Sequence, residues 1–285
     1  MTKHIMLNGD IMPAGSPVLH HNSRAIRYGD CFTVVLRGNS SKAFFPDEYF
    51  EYMLQCMQEL NYLIPETFEK SIFYNDLYLI LQKNRIYKGF KVYISFIRDL
   101  DENNLELQNT SILISPEKIT PEFYEIKEPG KTIDISTIQC IPQFLFEQKY
   151  SHLIENYLIS KKIYPAASEI DIFLFDENKN IIRTRNSAVF FVKKDKIFIP
   201  ENLPNDSLKI FTYIIIAIAE ISGIKTEKLQ INISDLHKFD EVFTADVING
   251  IQYVNGIEDL RYYKNISKYL AQKLDKVIKK TLEEN

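Results

Sequence analysis

Apolar and polar positions follow two periods along this chain, one typical of helices and one typical of strands. From Pro46 to Leu60 the apolar residues recur every three or four positions, which predicts an amphipathic helix, and a second helix is predicted from about Pro65 to Lys83. Helical spacing returns from Ile266 to Leu282. Residues 5–12, with Asn8-Gly9-Asp10 at their centre, predict a short strand pair around a tight turn. Runs rich in β-branched and aromatic residues predict strands at 90–98, 111–115, 131–141, 169–175, 181–194 and 224–233. Helices and strands in this order indicate a mixed α/β protein.

The stretch from Lys149 to Lys194 has the clearest local pattern. Apolar residues fall at helical spacing just after its start and predict a helix that carries Lys149 in its first turn: Leu153, Ile154, Tyr157 and Leu158. Farther on, the turn residues 176–180 separate two runs of β-branched and aromatic residues. This second pattern predicts a β-hairpin.

Length and composition narrow the possible classes of protein. The 285 residues allow two moderate lobes or one large domain, and 45% hydrophobic residues suffice for substantial cores. A net charge of -4 with both signs interspersed predicts neither nucleic-acid binding nor attachment to an anionic membrane, and the longest apolar run, 211–219, is too short to span a bilayer. Three widely spaced cysteines and the absence of an apolar leader favour reduced thiols in a cytoplasmic protein, without a disulfide framework or a zinc site.

The Lys149 stretch resembles the class IV aminotransferases, a family of pyridoxal-phosphate enzymes that includes branched-chain and D-amino acid aminotransferases and aminodeoxychorismate lyase. In that family a helix opening K-S-L-N-x-L-x-N-x-L carries the lysine that forms the Schiff base. Lys149, Asn156 and Leu158 fall into this register. The family hairpin D-x-x-G-x-V-T-E-G-S-x-S-N-x-F-x-V-K matches residues 176–193 in spacing. The resemblance therefore implies that Lys149 is the catalytic lysine, although a lysine at a helix start is also an ordinary surface residue.

The resemblance also implies an architecture. It predicts the two-lobed α/β fold of fold type IV pyridoxal-phosphate enzymes, with a small N-terminal lobe of residues 1–125 and a larger C-terminal lobe of residues 126–285. In the family the two lobes clamp the cofactor and two chains form a homodimer, so a homodimer is expected here. A second motif, R-x-x-x-Y-G-D-G-x-F-E-T-x-R, is matched at Arg24, Tyr28, Gly29, Asp30 and Arg37. Tyr28 and Arg98 are the candidate substrate-binding residues. For Tyr28 the alternative is a packed aromatic at a strand edge.

Two positions that hold the cofactor in the family carry different chemistry in this sequence. The arginine of E-H-L-x-R-L, which grips the cofactor phosphate, is replaced by Tyr52. A neutral phenol donates one hydrogen bond and cannot replace a planar cation. The hairpin glutamate, which keeps the pyridine nitrogen protonated, is replaced by Arg183. A positive charge there opposes protonation of the ring and weakens carbanion stabilisation.

The two phosphate-binding loops of the family are changed as well. The G-I-T that opens a helix in the family is read here as Lys209, Ile210 and Phe211, so the glycine and the threonine hydroxyl are both absent. In the second loop Asp246 and Val247 remove a hydroxyl and add a negative charge. Since each charge-assisted contact to phosphate contributes roughly 1.5 to 3 kcal/mol, losing several weakens cofactor binding by orders of magnitude.

These residues leave three functional hypotheses. The favoured one is a class IV aminotransferase-like protein with a degraded pyridoxal-phosphate site, which has lost ordinary transaminase activity and serves as a binding or partner protein. The second is an active pyridoxal-phosphate aminotransferase or aminodeoxychorismate-lyase-like enzyme, acting on an amino acid or keto acid, with Lys209 and Arg183 as rewired anchors. The third is an enzyme that uses the same cleft without this cofactor, through Tyr28, Lys149 and Arg183.

Overall fold

The computed structural model of this chain describes residues 2–21, 23–98, 109–140, 170–203 and 208–284. These residues form two compact units: the first comprises residues 2–123 and 280–284, and the second comprises the described residues from 124 to 279. The α/β class predicted from the sequence is confirmed by two sheets and their flanking helices. The lobe boundary after residue 125 stays a prediction. The predicted helix around Lys149 lies outside the described residues.

The first unit is built on a six-stranded antiparallel sheet. Its strands are β1 (His4–Leu7), β2 (Asp10–Pro13), β3 (Cys31–Asn39), β4 (Lys42–Ala43), β5 (Phe90–Arg98) and β6 (Thr110–Lys118). They lie side by side in the order β2-β1-β6-β5-β3-β4. Three helices accompany the sheet: α1 (Arg24–Tyr28), α2 (Pro46–Glu59) and α3 (Lys70–Lys83). The predicted strand pair near the N-terminus and the helix from Pro46 are therefore confirmed.

A chain of aromatic rings joins the sheet of the first unit to α2. Phe32 stacks on Phe96 with ring centres 4.5 Å apart, Phe96 meets the edge of Phe68 at 5.5 Å, and Phe68 stacks on Phe50 of α2 at 5.1 Å. This packing corrects the predicted start of the second helix. The Phe68 ring is buried in the core while its neighbours Thr67 and Glu69 are exposed, and α3 begins only at Lys70.

The second unit contains a nine-stranded mixed sheet and two helices. Its strands are β7 (Lys131–Cys140), β8 (Ile170–Phe175), β9 (Ile181–Thr184), β10 (Ala188–Lys193), β11 (Lys196–Pro200), β12 (Thr226–Leu229), β13 (Glu241–Asp246), β14 (Gly250–Ile257) and β15 (Leu260–Arg261). Their order is β12-β11-β10-β13-β14-β7-β8-β9, and β15 pairs with β14. The helices are α4 (Leu208–Ile221) and α5 (Asn265–Glu284). The predicted hairpin is confirmed as β8 and β9, and β10 follows as a strand that pairs with β11 and β13. The strand predicted at 224–233 is shorter and forms only β12.

Residue alternation along β10 determines which side chains line each face of this sheet. Val189 and Phe191 belong to the main core, which also includes Leu236 of the 3₁₀ helix Ile233–Lys238. Phe190 points to the opposite face, where it stacks on Phe243 with ring centres 4.7 Å apart. The next residue outward on the core-facing side of β10 is Ser187. The apolar core therefore gives way to polar side chains at this end of the sheet.

Candidate functional site

The carboxylate of Asp246 organises the turn between β13 and β14. Its Oδ1 accepts hydrogen bonds from the backbone N–H groups of Ile248 (2.9 Å) and Asn249 (2.7 Å), and the Asn249 side-chain amide donates to it as well (3.1 Å). Its Oδ2 accepts from Ser187 Oγ at 2.8 Å. Asp246 is almost fully buried. A fixed internal anion therefore engages the amide donors of a turn that the sequence comparison assigned to phosphate binding.

A lysine and a second carboxylate continue this polar cluster along the sheet. Lys131 Nζ on β7 lies 3.2 Å from Ser187 Oγ and 3.5 Å from Asp171 Oδ2 on β8. The other Asp171 oxygen accepts from the backbone N–H of Ile172 at 2.9 Å. We call Lys131, Asp171, Ser187 and Asp246 the polar cluster. Lys131 and Asp171 were missed from the sequence, although a carboxylate inside the apolar run Ile-Asp-Ile-Phe-Leu-Phe was a usable signal.

Two arginines lie buried near the same end of the sheet. Arg183 on β9 pairs in register with Leu174 of β8 and is 4% exposed. Arg185 follows β9, is 8% exposed, and donates its backbone N–H to the carbonyl of Ile172 at 3.2 Å. The prediction that Arg183 occupies the hairpin position of the family glutamate stays a prediction. Its burial shows that this position holds a desolvated cation.

Aromatic packing occupies the approach between α4 and the β13–β14 turn. Phe211 of α4 is completely buried and packs edge-to-face against Tyr124, with ring centres 5.9 Å apart. The Tyr124 hydroxyl donates to the carbonyl of Val247 at 2.8 Å. Gly250 lies against the same ring, and a Cβ built at Gly250 would sit 2.6 Å from Tyr124 Cγ. Phe211, Val247 and Tyr124 therefore form one packed group, in which the role of Tyr124 was not predicted.

The other two candidate residues on α4 begin the helix. Lys209 is its second described residue and is partly buried, while Ile210 is buried. Ile210 keeps the apolar character of the middle residue of the family G-I-T. The predicted cofactor role of Lys209 and Ile210 stays a prediction.

Arg98 in the first unit belongs to an ion cluster around Asp30. Asp30 Oδ2 lies 2.6 Å from Arg24 Nε and 3.4 Å from Arg98 Nε. Arg98 also donates to the carbonyl of Leu60 at 2.6 Å and lies over the ring of Tyr62 at 4.2 Å. Burial, followed by the Asp30 charge, raises the pKa of Tyr62 above its ordinary value. The motif residues Arg24 and Asp30 therefore position Arg98, whose role in substrate binding stays a prediction.

The position of Tyr28 excludes one of the two interpretations drawn from the sequence. It ends the short helix α1 and is 69% exposed, so the alternative of a packed aromatic at a strand edge is wrong. The exposure results from Gly29, which caps α1 with φ +67° and turns the chain directly into β3. Arg24 lies 5.4 Å from the centre of the Tyr28 ring. The ring is thus accessible on the first unit, and its role in substrate binding stays a prediction.

Two further motif positions serve the core of the first unit. Tyr52 is buried on α2 together with Tyr49, Phe50 and Met53. Arg37 is also buried and donates from Nη2 to the carbonyls of Pro121 and Phe123, both at 2.8 Å. The proposed position of Tyr52 at the family phosphate site stays a prediction, whereas Arg37 has a clear structural function.

Comparison with known proteins adds to this geometry. Residues 31–257 match the family model described as Amino-transferase class IV. The chain belongs to the class IV aminotransferases. The matched range begins directly after Asp30, and it includes Arg37 of the first-unit motif and the β13–β14 turn. The resemblance drawn from the sequence is thereby confirmed.

Individual members of the family agree with this assignment. A probable branched-chain-amino-acid aminotransferase of Rickettsia felis is 22% identical over 260 residues, covering 90% of this chain and 87% of the relative. The branched-chain aminotransferase of Thermoproteus uzoniensis superposes with a TM-score of 0.82 at 12% identity, covering 96% of this chain and 94% of that structure. The 4-amino-4-deoxychorismate lyase of Pseudomonas aeruginosa gives 0.77 at 14% identity, covering 95% and 97%. At these identities the structural matches show the fold, and they confirm the predicted fold type IV architecture.

Two other classes of site were searched for in the described part of the chain. There, no group of three or more histidine, cysteine, aspartate or glutamate side chains is placed to hold a metal ion. No helix within the same described ranges is both long and apolar enough to cross a membrane.

Proposed function

We propose that this class IV aminotransferase homologue has lost the phosphate anchorage of pyridoxal phosphate and does not catalyse ordinary transamination. The observation that carries the proposal is the Asp246 carboxylate, which accepts the Ile248 and Asn249 backbone amides of the β13–β14 turn. In the family this turn contributes to phosphate binding. In this chain an internal anion takes the place of the external one.

Electrostatics supports the proposal. Two like unit charges about 5 Å apart repel by ~3 kcal/mol at an effective dielectric constant of about 20, which corresponds to roughly a hundredfold in a binding constant. Asp246 is buried, so solvent screens its charge poorly. Its oxygens already accept hydrogen bonds from Ser187, Ile248 and Asn249. A phosphate dianion close to this turn therefore meets repulsion instead of free amide donors.

Packing supports it as well. The Phe211 side chain packs against Tyr124, and the Tyr124 hydroxyl is bound to the carbonyl of Val247. The apolar ring of Phe211 thus stands where the family has a hydroxyl donor. The carbonyl oxygen of Val247, in the β13–β14 turn, accepts from Tyr124. The residues at these positions do not fit a phosphate group. We extend the family homodimer, the amino acid or keto acid ligand and the cytoplasmic location to this chain as parts of the same proposal.

A second candidate is a working pyridoxal-phosphate aminotransferase or lyase. The observation that favours it is the buried cation Arg183, which is 4% exposed and could hold a phosphate in a rearranged site. This candidate retains Lys149 as the Schiff-base residue. The two functions differ in whether the cofactor binds covalently at all.

The deciding experiment is an absorption titration of the purified chain with pyridoxal phosphate, before and after borohydride reduction. The variants are Lys149→Ala and, as a matched control on a nearby lysine, Lys161→Ala. We expect no visible aldimine band that depends on Lys149 at millimolar cofactor. A band that borohydride fixes in the wild type and in Lys161→Ala, but not in Lys149→Ala, would overturn the proposal and establish the second candidate.

A further inference from the structure

Arg185 stands apart from the other buried charges of the second unit. Its residue surface is 92% buried, since 8% is exposed, and its Nε has no hydrogen-bond partner. In the ranges that the structure describes, no carboxylate forms an ion pair with its guanidinium. The backbone N–H of Arg185 donates to the carbonyl of Ile172. Arginine remains charged at every pH a protein experiences. Arg185 is therefore a buried positive charge to which the described residues supply no counterion.

The nearby carboxylates are committed to other donors. Asp171 lies beside Lys131 and accepts the backbone N–H of Ile172. Asp246 accepts from Ser187, Ile248 and Asn249. Turning either carboxylate toward Arg185 would leave its present donors unsatisfied in a buried environment, which is unfavourable. An internal rearrangement is therefore not an easy way to neutralise Arg185.

The charge balance at this end of the sheet points in the same direction. Lys131 Nζ lies 3.5 Å from Asp171 Oδ2, whereas the Arg185 guanidinium forms no ion pair with a carboxylate of the described residues. Glu241, another buried ion of the second unit, is capped within the chain: it accepts the backbone N–H groups of Asn265, Ile266 and Ser267 at the start of α5. A buried cation without a counterion normally destabilises a protein, and a ligand of opposite charge would remove that cost.

We propose that Arg185 is the binding residue of a small-oxyanion site in the second unit, and that the ligand presents a carboxylate or a phosphate group. The planar guanidinium offers parallel N–H donors, which match the two oxygens of either group. Lys131, in the polar cluster of the same unit, adds a second positive charge. This inference does not depend on whether Lys149 forms a Schiff base.

The test uses the full chain, free of pyridoxal phosphate, in sodium chloride at constant ionic strength. Inorganic phosphate and acetate are titrated separately while the thermal midpoint is recorded, and binding is measured by calorimetry. The variants are Arg185→Met, which keeps the length of the side chain and removes its charge, and Arg185→Lys, which keeps the charge and removes the fork. Arg27→Met, on an exposed arginine of the first unit, is the matched control.

We expect a saturable rise of the midpoint with one or both oxyanions in the wild type and in Arg27→Met. Arg185→Met should lose this rise and, without added anion, should be at least as stable as the wild type, because an unpaired charge has been removed. Arg185→Lys should bind the anion roughly tenfold more weakly. Preference for phosphate over acetate, or the reverse, identifies the class of ligand.

Three results would overturn the inference. One is a wild type whose midpoint responds to neither oxyanion. Another is an anion response that persists unchanged in Arg185→Met. The third is an Arg185→Met variant that fails to fold or is strongly destabilised in sodium chloride, because the guanidinium would then have an internal partner.

Discussion

Replacing Asp246 measures how firmly the internal carboxylate holds the β13–β14 turn. Asp246→Ala removes the acceptor of two backbone amides, the Asn249 side-chain amide and the Ser187 hydroxyl. Hydrogen bonds to a charged group contribute roughly 1.5 to 3 kcal/mol each, and part of that is recovered when water reaches the turn. We therefore expect Asp246→Ala to lower the free energy of unfolding by about 3 to 5 kcal/mol.

Asp246→Asn separates the charge from the shape. The amide oxygen of an asparagine can still accept from Ile248 and Asn249, while its NH₂ group faces Ser187 Oγ, which already accepts from Lys131 at 3.2 Å. The expected loss is about 1 to 2 kcal/mol. Removing the charge should also raise the affinity for pyridoxal phosphate, by up to roughly a hundredfold for ~3 kcal/mol of relieved repulsion.

Urea unfolding followed by circular dichroism gives the stabilities, and absorption titration gives the cofactor affinity. Asp259→Ala is the control, because Asp259 is exposed in the same unit and should change stability by less than about 0.5 kcal/mol. A loss below about 1 kcal/mol in Asp246→Ala, or one equal to that of Asp259→Ala, would refute the account of the turn. An Asp246→Asn variant with unchanged cofactor affinity would refute the electrostatic part alone.

Three further changes test the packing and the electrostatics of the fold. Glu241→Ala should lose about 2 to 3 kcal/mol in urea unfolding, and Glu241→Gln about half as much, because Glu241 caps the first turn of α5. Gly250→Ala should lose about 2 to 4 kcal/mol, since its φ is +67° and a Cβ would meet Tyr124, whereas Gly15→Ala, with open space around it, should be nearly neutral. Burial raises the pKa of Asp76, so ionising it opposes folding as pH rises above the unfolded value of about 3.9; Asp76→Asn should raise the thermal midpoint at pH 7 and lose that advantage at pH 3.

The fold could be predicted in large part because its elements carry their own periodicity. The helix from Pro46 and the strand β5 appear at almost the predicted positions, since spacing and turn residues alone define them. The errors occur where packing overrides local pattern. Phe68 enters the aromatic core, and α3 begins only at Lys70. Of residues 224–233 only Thr226–Leu229 form a strand, β12, and Ile233 begins the 3₁₀ helix.

The candidate site was less predictable because its chemistry depends on pairing across strands. The resemblance to the family identified Asp246 as an added negative charge. Its hydrogen bonds to Ser187 and the turn amides could not be predicted, because they depend on the register of β10 and β13. The same register explains why Lys131 was missed, since 56 positions separate it from Ser187. Spacing within a motif identifies which positions have changed, whereas the partners of the new side chains require the structure.

A turn completed by its own carboxylate has a consequence for the protein without cofactor. Where a phosphate satisfies the amides of such a turn, the turn is incomplete until the ligand binds, and binding stabilises the fold by mass action. Asp246 satisfies Ile248 and Asn249 permanently, so the stability of this turn no longer depends on a ligand. Phe211 and Tyr124 close the same region with apolar contacts. Under the proposed loss of cofactor anchorage, both features replace a turn that a ligand completes with one that the chain completes by itself, so the fold can be kept without the cofactor.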